Sequence, residues 1–133
     1  MMKKVLIPTA LLLFATLACK KDDDQDENTD PPVITIHEPT KDHFHPGDVL
    51  HIHIDVTDQK EMHEARFWLI AVPQNDTLLT KRKHAHDKVI EFEEDYTLGA
   101  FEDHEQKVDL VVKGENAAGK SSTKTFQLEV VEH

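Results

Sequence analysis

Only one cysteine, Cys19, occurs in the 133 residues, so the chain can form no internal disulfide and its fold must be held by its core. Glycine is almost as scarce, at four residues, and no Gly-rich phosphate loop can be traced. Serine occurs only at Ser121 and Ser122, beside a turn signal, and neither G-x-S-x-G nor H-E-x-x-H is present. These absences argue against Ser or Cys hydrolysis and against a familiar metalloprotease site; the expectation is a protein that is not an enzyme. Positive charge is also short. Lys and Arg total 15 against 26 Asp and Glu, for a net charge of −11 with His neutral. Such a chain repels nucleic acid and anionic lipid and attracts cations. Apolar runs of helical period are missing as well, so an α-helical domain is not expected.

The one sustained apolar run is at the start. "MMKK" is a short basic segment and "VLIPTALLLFATLA" an apolar one that stops at Cys19. It is too short to read as a membrane span and has the build of a signal peptide. Small or apolar residues, then Ala18, then Cys19 resemble the lipobox of bacterial lipoproteins, although Thr16 stands where Leu is usual and Leu17 is one place late. The resemblance implies cleavage after residue 18 and lipidation of Cys19, with residues 1–18 as signal peptide. Removing them takes out Lys3 and Lys4 and no acid, so −11 becomes −13. Residues 19–32 follow as the lipidated Cys and an acidic flexible linker. "KKDDDQDENTDPP" has no apolar residue and ends in two prolines, the composition of a disordered tether. "CKKDDD" is similar to the lysine-plus-acid runs behind the anchor Cys of surface-exported lipoproteins of Bacteroidota. That implies a lipid-anchored outer-membrane protein shown on the cell surface rather than one on the inner leaflet.

From Val33 to His133 the signal changes to period 2. "VITIHE", "DVLHIHIDV", "HEARFWLIAV", "KVIEFEEDYTL", "QKVDLVVKG" and "STKTFQLEVV" each alternate apolar with polar residues. "DTLLT" gives a short further strand, which "KRKHAHD" is expected to interrupt. Pro46-Gly47-Asp48 and "ENAAGK" are turn signals. Six or seven strands with close turns predict an all-β fold, an antiparallel β-sandwich over residues 33–133. Ile34, Ile36, Ile52, Ile54, Ala65, Phe67, Leu69, Val108, Leu110, Val112, Phe126, Leu128 and Val130 are expected to face the core.

"PPVITIHEPTKDHFHPGDVLHIHIDVTD" is similar to the opening of bacterial immunoglobulin-like domains, and "VKGENAAGKSS" looks like their penultimate strand and last hairpin, with Gly114, Glu115 and Asn116 departing from the usual Ala-x-Asp. The resemblance covers nearly all of 31–132 and implies an immunoglobulin-like β-sandwich of about seven strands. The whole chain resembles the bacterial lipoprotein family called domain of unknown function 4625. That family resemblance implies fold and location and no activity.

What is abundant is histidine. Ten are present, six of them in three H-x-H pairs: His43/His45, His51/His53 and His84/His86. Residues i and i+2 of a strand point the same way, roughly 6.5–7 Å apart. Two imidazoles at that spacing can converge on one ion bound at about 2.0–2.1 Å, and neutral imidazole is the commonest protein metal ligand. Pairing of 33–38 with 48–56 puts His37 beside His51 and His53. Pairing of 48–56 with 88–98 lets "KHAHD" carry His84 and His86 toward the same patch. The predicted metal ligands are therefore His37, His51, His53, His84 and His86, with weaker claims for His43, His45, Asp55 and Asp87; the metal is Zn²⁺ or Cu²⁺. The competing reading takes these as solvated strand and loop residues, with His63, His104 and His133 as single surface histidines. In that case the domain is an interaction module that docks an envelope protein or glycan, or an accessory of an outer-membrane uptake complex. Trp68, on the face opposite Phe67, would be its sugar platform. The remaining partner expected from sequence is the membrane, through the lipid anchor.

Overall fold

A computed structural model describes residues 30–132; the expected signal peptide, Cys19, the expected tether as far as Thr29 and His133 lie outside the described residues. Eight strands follow in order: β1 Val33–Glu38, β2 His43–Phe44, β3 Val49–Thr57, β4 Met62–Val72, β5 Asp76–His84, β6 Val89–Thr97, β7 Glu105–Asn116 and β8 Ser121–Val131. They form a three-stranded sheet in the order β1-β3-β6 and a five-stranded sheet in the order β2-β8-β7-β4-β5. After β1 the chain crosses to the second sheet, where the two residues of β2 run parallel to β8. All other pairings are antiparallel. The architecture is the expected all-β sandwich of two sheets, with β2 as an eighth strand too short to leave a periodic signal.

Alternation builds the core. Leu50, Ile52, Ile54 and Val56 of β3, Ala65, Phe67 and Leu69 of β4, and Val108, Leu110 and Val112 of β7 are all buried between the sheets. Phe67 meets Phe92 of the opposite sheet edge-on, with ring centroids 5.1 Å apart, a favoured aromatic geometry. Gly114 marks a close approach of the layers. A Cβ built there would stand 2.5 Å from Cγ1 of Val56, so any larger residue requires Val56 or the strand itself to shift. Ile36 and Phe126 are only partly buried against this core.

The turns follow their residue types. Pro46 and Gly47 form the middle of a turn closed by Asp48 N–H donating to the His45 carbonyl at 3.0 Å, with Gly47 at φ 94°. Pro before a positive-φ Gly is the signature of a type II turn. In the last hairpin, buried Asn116 accepts from the Ala118 and Lys120 amides through its side-chain oxygen and donates to Oδ1 of Asp58 at 2.9 Å.

One strand is longer than its sequence suggests. "KRKH" does not interrupt β5 but completes it, pairing with β4 through Lys83↔Ala65 and His84↔Glu64. Lys81 and Lys83 share the phase of Phe67 and Ala65, so they point along the open edge of the sandwich. Lys83 Nζ donates to the Glu91 carbonyl at 2.6 Å, and Lys81 Nζ lies 3.9 Å from Glu94. Inward-pointing charges of this kind protect an edge strand from pairing with other chains. They hide the strand from a reading based on apolar alternation.

Candidate metal centre

The outer face of the three-stranded sheet has an unusual composition. β1, β3 and β6 contain no Lys or Arg at all, and their outward positions include His51, His53, Asp55, Glu91, Glu93 and Asp95. Register sets the histidines against the acids: His51 is opposite Asp95, His53 opposite Glu93, and Asp55 opposite Glu91. Directly opposed side chains on one sheet face are close enough to interact. On the other side of β3 the ladder slips by one residue, from Ile36↔Ile54 to Glu38↔His53. His37 is the extra residue of this β-bulge. A bulge re-aims a side chain relative to the regular pleat. Here it brings the His37 ring to within 4.6 Å of the His53 ring, centroid to centroid.

The resulting cluster is compact. His37 Nε2–H donates to Asp55 Oδ2 at 2.9 Å, and His53 Nε2–H donates to Glu91 Oε2 at 2.9 Å. Ligand atoms of His37, His53 and Asp55 all lie within 4.8 Å of one another, and His53, Glu91 and Glu93 form an overlapping group of the same span. His53 is about two-thirds covered and His37 half-open to solvent. The hydrogen bond to Glu91, followed by the charges of Glu93 and Asp55, raises the His53 pKa above 6.5 although desolvation opposes it. With its Nε2 proton held by a carboxylate, each neutral ring keeps Nδ1 as the nitrogen with a free lone pair. A carboxylate behind a ligating histidine fixes its tautomer and raises its basicity.

The other predicted residues are distributed elsewhere. His51 Nδ1 pairs with Asp95 Oδ1 at 2.6 Å and is not part of the His37–His53 group. His43 donates to Asp42 at 2.9 Å, which raises its pKa. His45 donates to the Val131 carbonyl at 2.7 Å and braces the Pro46-Gly47 turn. His84 and His86 do not join the patch on the small sheet; they lie around His63, at 5.6 and 6.5 Å between ring centroids. The backbone carbonyl of Asp87 accepts from the Met62 amide at 2.8 Å in the same region. Sequence reasoning left out Glu91, Glu93 and His63. The two acids were readable from the alternation of "VIEFEED" once that strand is paired with β3. His63 has no such signal, because its placement depends on a second bulge.

On the opposite face of the molecule, Trp68 does point outward, as expected. Its ring is covered on one side by the Arg66 guanidinium, 4.8 Å from the ring centroid. The pair lines a shallow groove with Glu64, Lys113, Glu115 and Ser121.

No family model matches the chain, and no curated protein matches it. Among solved structures, the chain is similar to the sporulation control protein Spo0M from Bacillus subtilis, with 12% identity and a TM-score of 0.47, covering 77% of this chain and 49% of that one. It is also similar to an engineered protein, with 15% identity and a TM-score of 0.44, covering 77% of this chain and 20% of the other. The chain thus spans about half of the first and a fifth of the second. Neither likeness carries an argument about function.

Proposed function

We propose that the chain is a lipoprotein of the cell envelope, of the domain of unknown function 4625 type, whose sandwich domain captures a divalent transition metal. The observation that carries the metal reading is the grouping of His37, His53 and Asp55 on a sheet face that holds acids and histidines but no basic residue. His37 and His53 supply imidazole nitrogens, and Asp55 with Glu91 supplies either a carboxylate ligand or the support behind a ring. Mixed nitrogen and oxygen donors suit Zn²⁺ or Cu²⁺ better than the hard ions Ca²⁺ and Mg²⁺. The site is open to solvent, which suits capture and release rather than a structural ion. Calorimetric titration of the full chain in detergent with Zn²⁺ and Cu²⁺ tests it. Micromolar binding, about −8 kcal/mol, whose stoichiometry falls by one ion in His37→Ala/His53→Ala supports the site; binding no tighter than about a millimolar, or an unchanged stoichiometry in that variant, removes it.

Anchoring at Cys19 and display on the outer-membrane surface belong to the same proposal, supported by the apolar run that stops at Cys19 and by "CKKDDD". Cys19→Ser is expected to abolish palmitate labelling. Unchanged labelling would rule out the anchor.

The groove beside Trp68 supports a second reading, an interaction module that docks an envelope protein or glycan. In that reading, pull-down from membranes recovers a partner with the His37→Ala/His53→Ala chain as well as with the wild type, and loses it on Trp68→Ala.

A further inference from the structure

The end of the five-stranded sheet carries a second histidine cluster, built by a second bulge. Along β4 the ladder to β7 slips from Met62↔Asn116 to Glu64↔Glu115, which leaves His63 as the extra residue. The slip lets Met62 stay fully buried while Glu64, two positions on, faces out. His63 is thereby turned to the surface between the two. The neighbouring segment is fixed against it by backbone hydrogen bonds on both sides. The Ala85 amide donates to the His63 carbonyl at 3.3 Å, and the Met62 amide donates to the Asp87 carbonyl at 2.8 Å. These two bonds, made by Ala85 and Asp87, flank His86 and follow directly on His84.

His63 and His84 stand close to the separation that a chelating pair requires. His63 and His84 lie 5.6 Å apart, centroid to centroid, and nearly perpendicular at 76°. Two imidazoles bound tetrahedrally to one ion at about 2.0–2.1 Å place their ring centres roughly 5 Å apart, so this pair needs only a small closure. His86 stands 6.5 Å from His63 and is within reach by side-chain rotation, since its ring is exposed. Its Nδ1–H donates to Glu61 Oε2 at 2.9 Å, leaving Nε2 as the lone-pair nitrogen of the neutral ring. Ligand atoms of His63, Glu64 and His84 already lie within 4.8 Å of one another.

The basic run next to these residues is the obvious objection, and the structure answers most of it. Lys81 and Lys83 are turned away, toward Glu94 and the Glu91 carbonyl on the other sheet. Arg82 remains, 3.7 Å from Glu64, and competes for that carboxylate. His86 pairs with the Glu61 carboxylate through Nδ1, which leaves its other ring nitrogen open.

We infer that His63, His84 and His86 form a second metal site, separate from the His37–His53 cluster, that takes a borderline divalent ion of the Zn²⁺ class through three imidazoles, while Glu64 stays with Arg82. Its signature is a trio of histidines arranged around a bulge residue rather than an H-x-H pair acting alone.

The test removes the first cluster and asks what is left. The full chain in detergent, carrying His37→Ala/His53→Ala, is titrated with Zn²⁺ and followed by histidine ring NMR. The expected result is one remaining site, with the rings of His63, His84 and His86 shifting together. Adding His63→Ala to that background is expected to weaken zinc binding at least tenfold, and adding His84→Ala to do the same. Both residues are exposed, and thermal unfolding of each variant checks that the domain is intact. No zinc binding in the His37→Ala/His53→Ala chain overturns the inference, as does a loss of less than fivefold on adding both His63→Ala and His84→Ala. Either result leaves the His37–His53 proposal standing or falling on its own titration.

Discussion

The two outer faces of the sandwich are built from the same alternation and carry opposite chemistry. On the small sheet, His51–Asp95, His53–Glu91 and His37–Asp55 are paired across strands that contain no Lys or Arg. On the large sheet the outward positions mix signs: Arg66 lies over Trp68, Arg82 beside Glu64, and Lys113 lines a groove with Glu115. Mixed charge is how an ordinary surface stays soluble and unreactive. A face of acids and imidazoles without a counter-cation has no such balance, and a bound metal ion would supply it. The difference marks the place for the proposed metal site better than the number of histidines does, since His43, His45 and His104 are spent on hydrogen bonds elsewhere.

The largest effect comes from disturbing the interior that both faces share. Phe67→Ala removes the ring that meets Phe92 across the layers and is expected to cost about 3–5 kcal/mol in urea unfolding. Gly114→Val presses a branched side chain against Val56 and is expected to cost about 1–3 kcal/mol as an overpacking change. Zinc affinity at the small sheet should fall with either variant only to the extent that the domain unfolds.

A smaller intervention breaks the contrast itself. Glu93→Lys puts a cation opposite His53 and gives the small sheet the mixed character of the large one. Zinc affinity at the His37–His53 cluster is expected to drop at least tenfold, while Arg66→Ala on the other face leaves it within twofold. Comparable losses for both variants would mean that net charge, not the local cluster, holds the ion.

The fold was largely legible before any coordinates. The outward phase of His51 and His53, the Pro46-Gly47 turn and the pairing of β3 with the strand after "KHAHD" all follow from period 2 and residue type. Three features did not follow, each for a physical reason. β5 carries its lysines inward at an open edge, where apolar alternation fails as a guide. β2 has two residues and no period. The bulges at His37 and His63 shift the pairing by one residue, and such a shift depends on which strand lies alongside rather than on the local sequence. So the patch expected of His37, His51, His53, His84 and His86 separates into two clusters, each centred on a bulge histidine, with His51 outside both and paired to Asp95.

The smallest effect is a titration. Glu91 raises the pKa of His53, and Asp42 that of His43. A raised histidine pKa stabilises the fold fully below the ordinary value of about 6.5, and the contribution is lost as pH rises through the folded-state value. His43 is exposed and His53 keeps about a third of its side chain open to solvent, so the change in overall stability should be slight. In the metal-free protein, NMR should show His53 titrating above 6.5, and Glu91→Gln should bring its midpoint down. An unchanged midpoint in Glu91→Gln would mean that the His53–Glu91 hydrogen bond does not persist in solution.

The central claim is that the bulge at His37 assembles a metal site with His53 on the small sheet. It is tested most directly by adding Zn²⁺ to the full chain in detergent while the histidine rings are observed individually by NMR. The account predicts that His37 and His53 respond together at micromolar zinc, while His43, His45 and His104 remain unshifted. Rings that respond only near millimolar zinc, or all in proportion to their exposure, would contradict it.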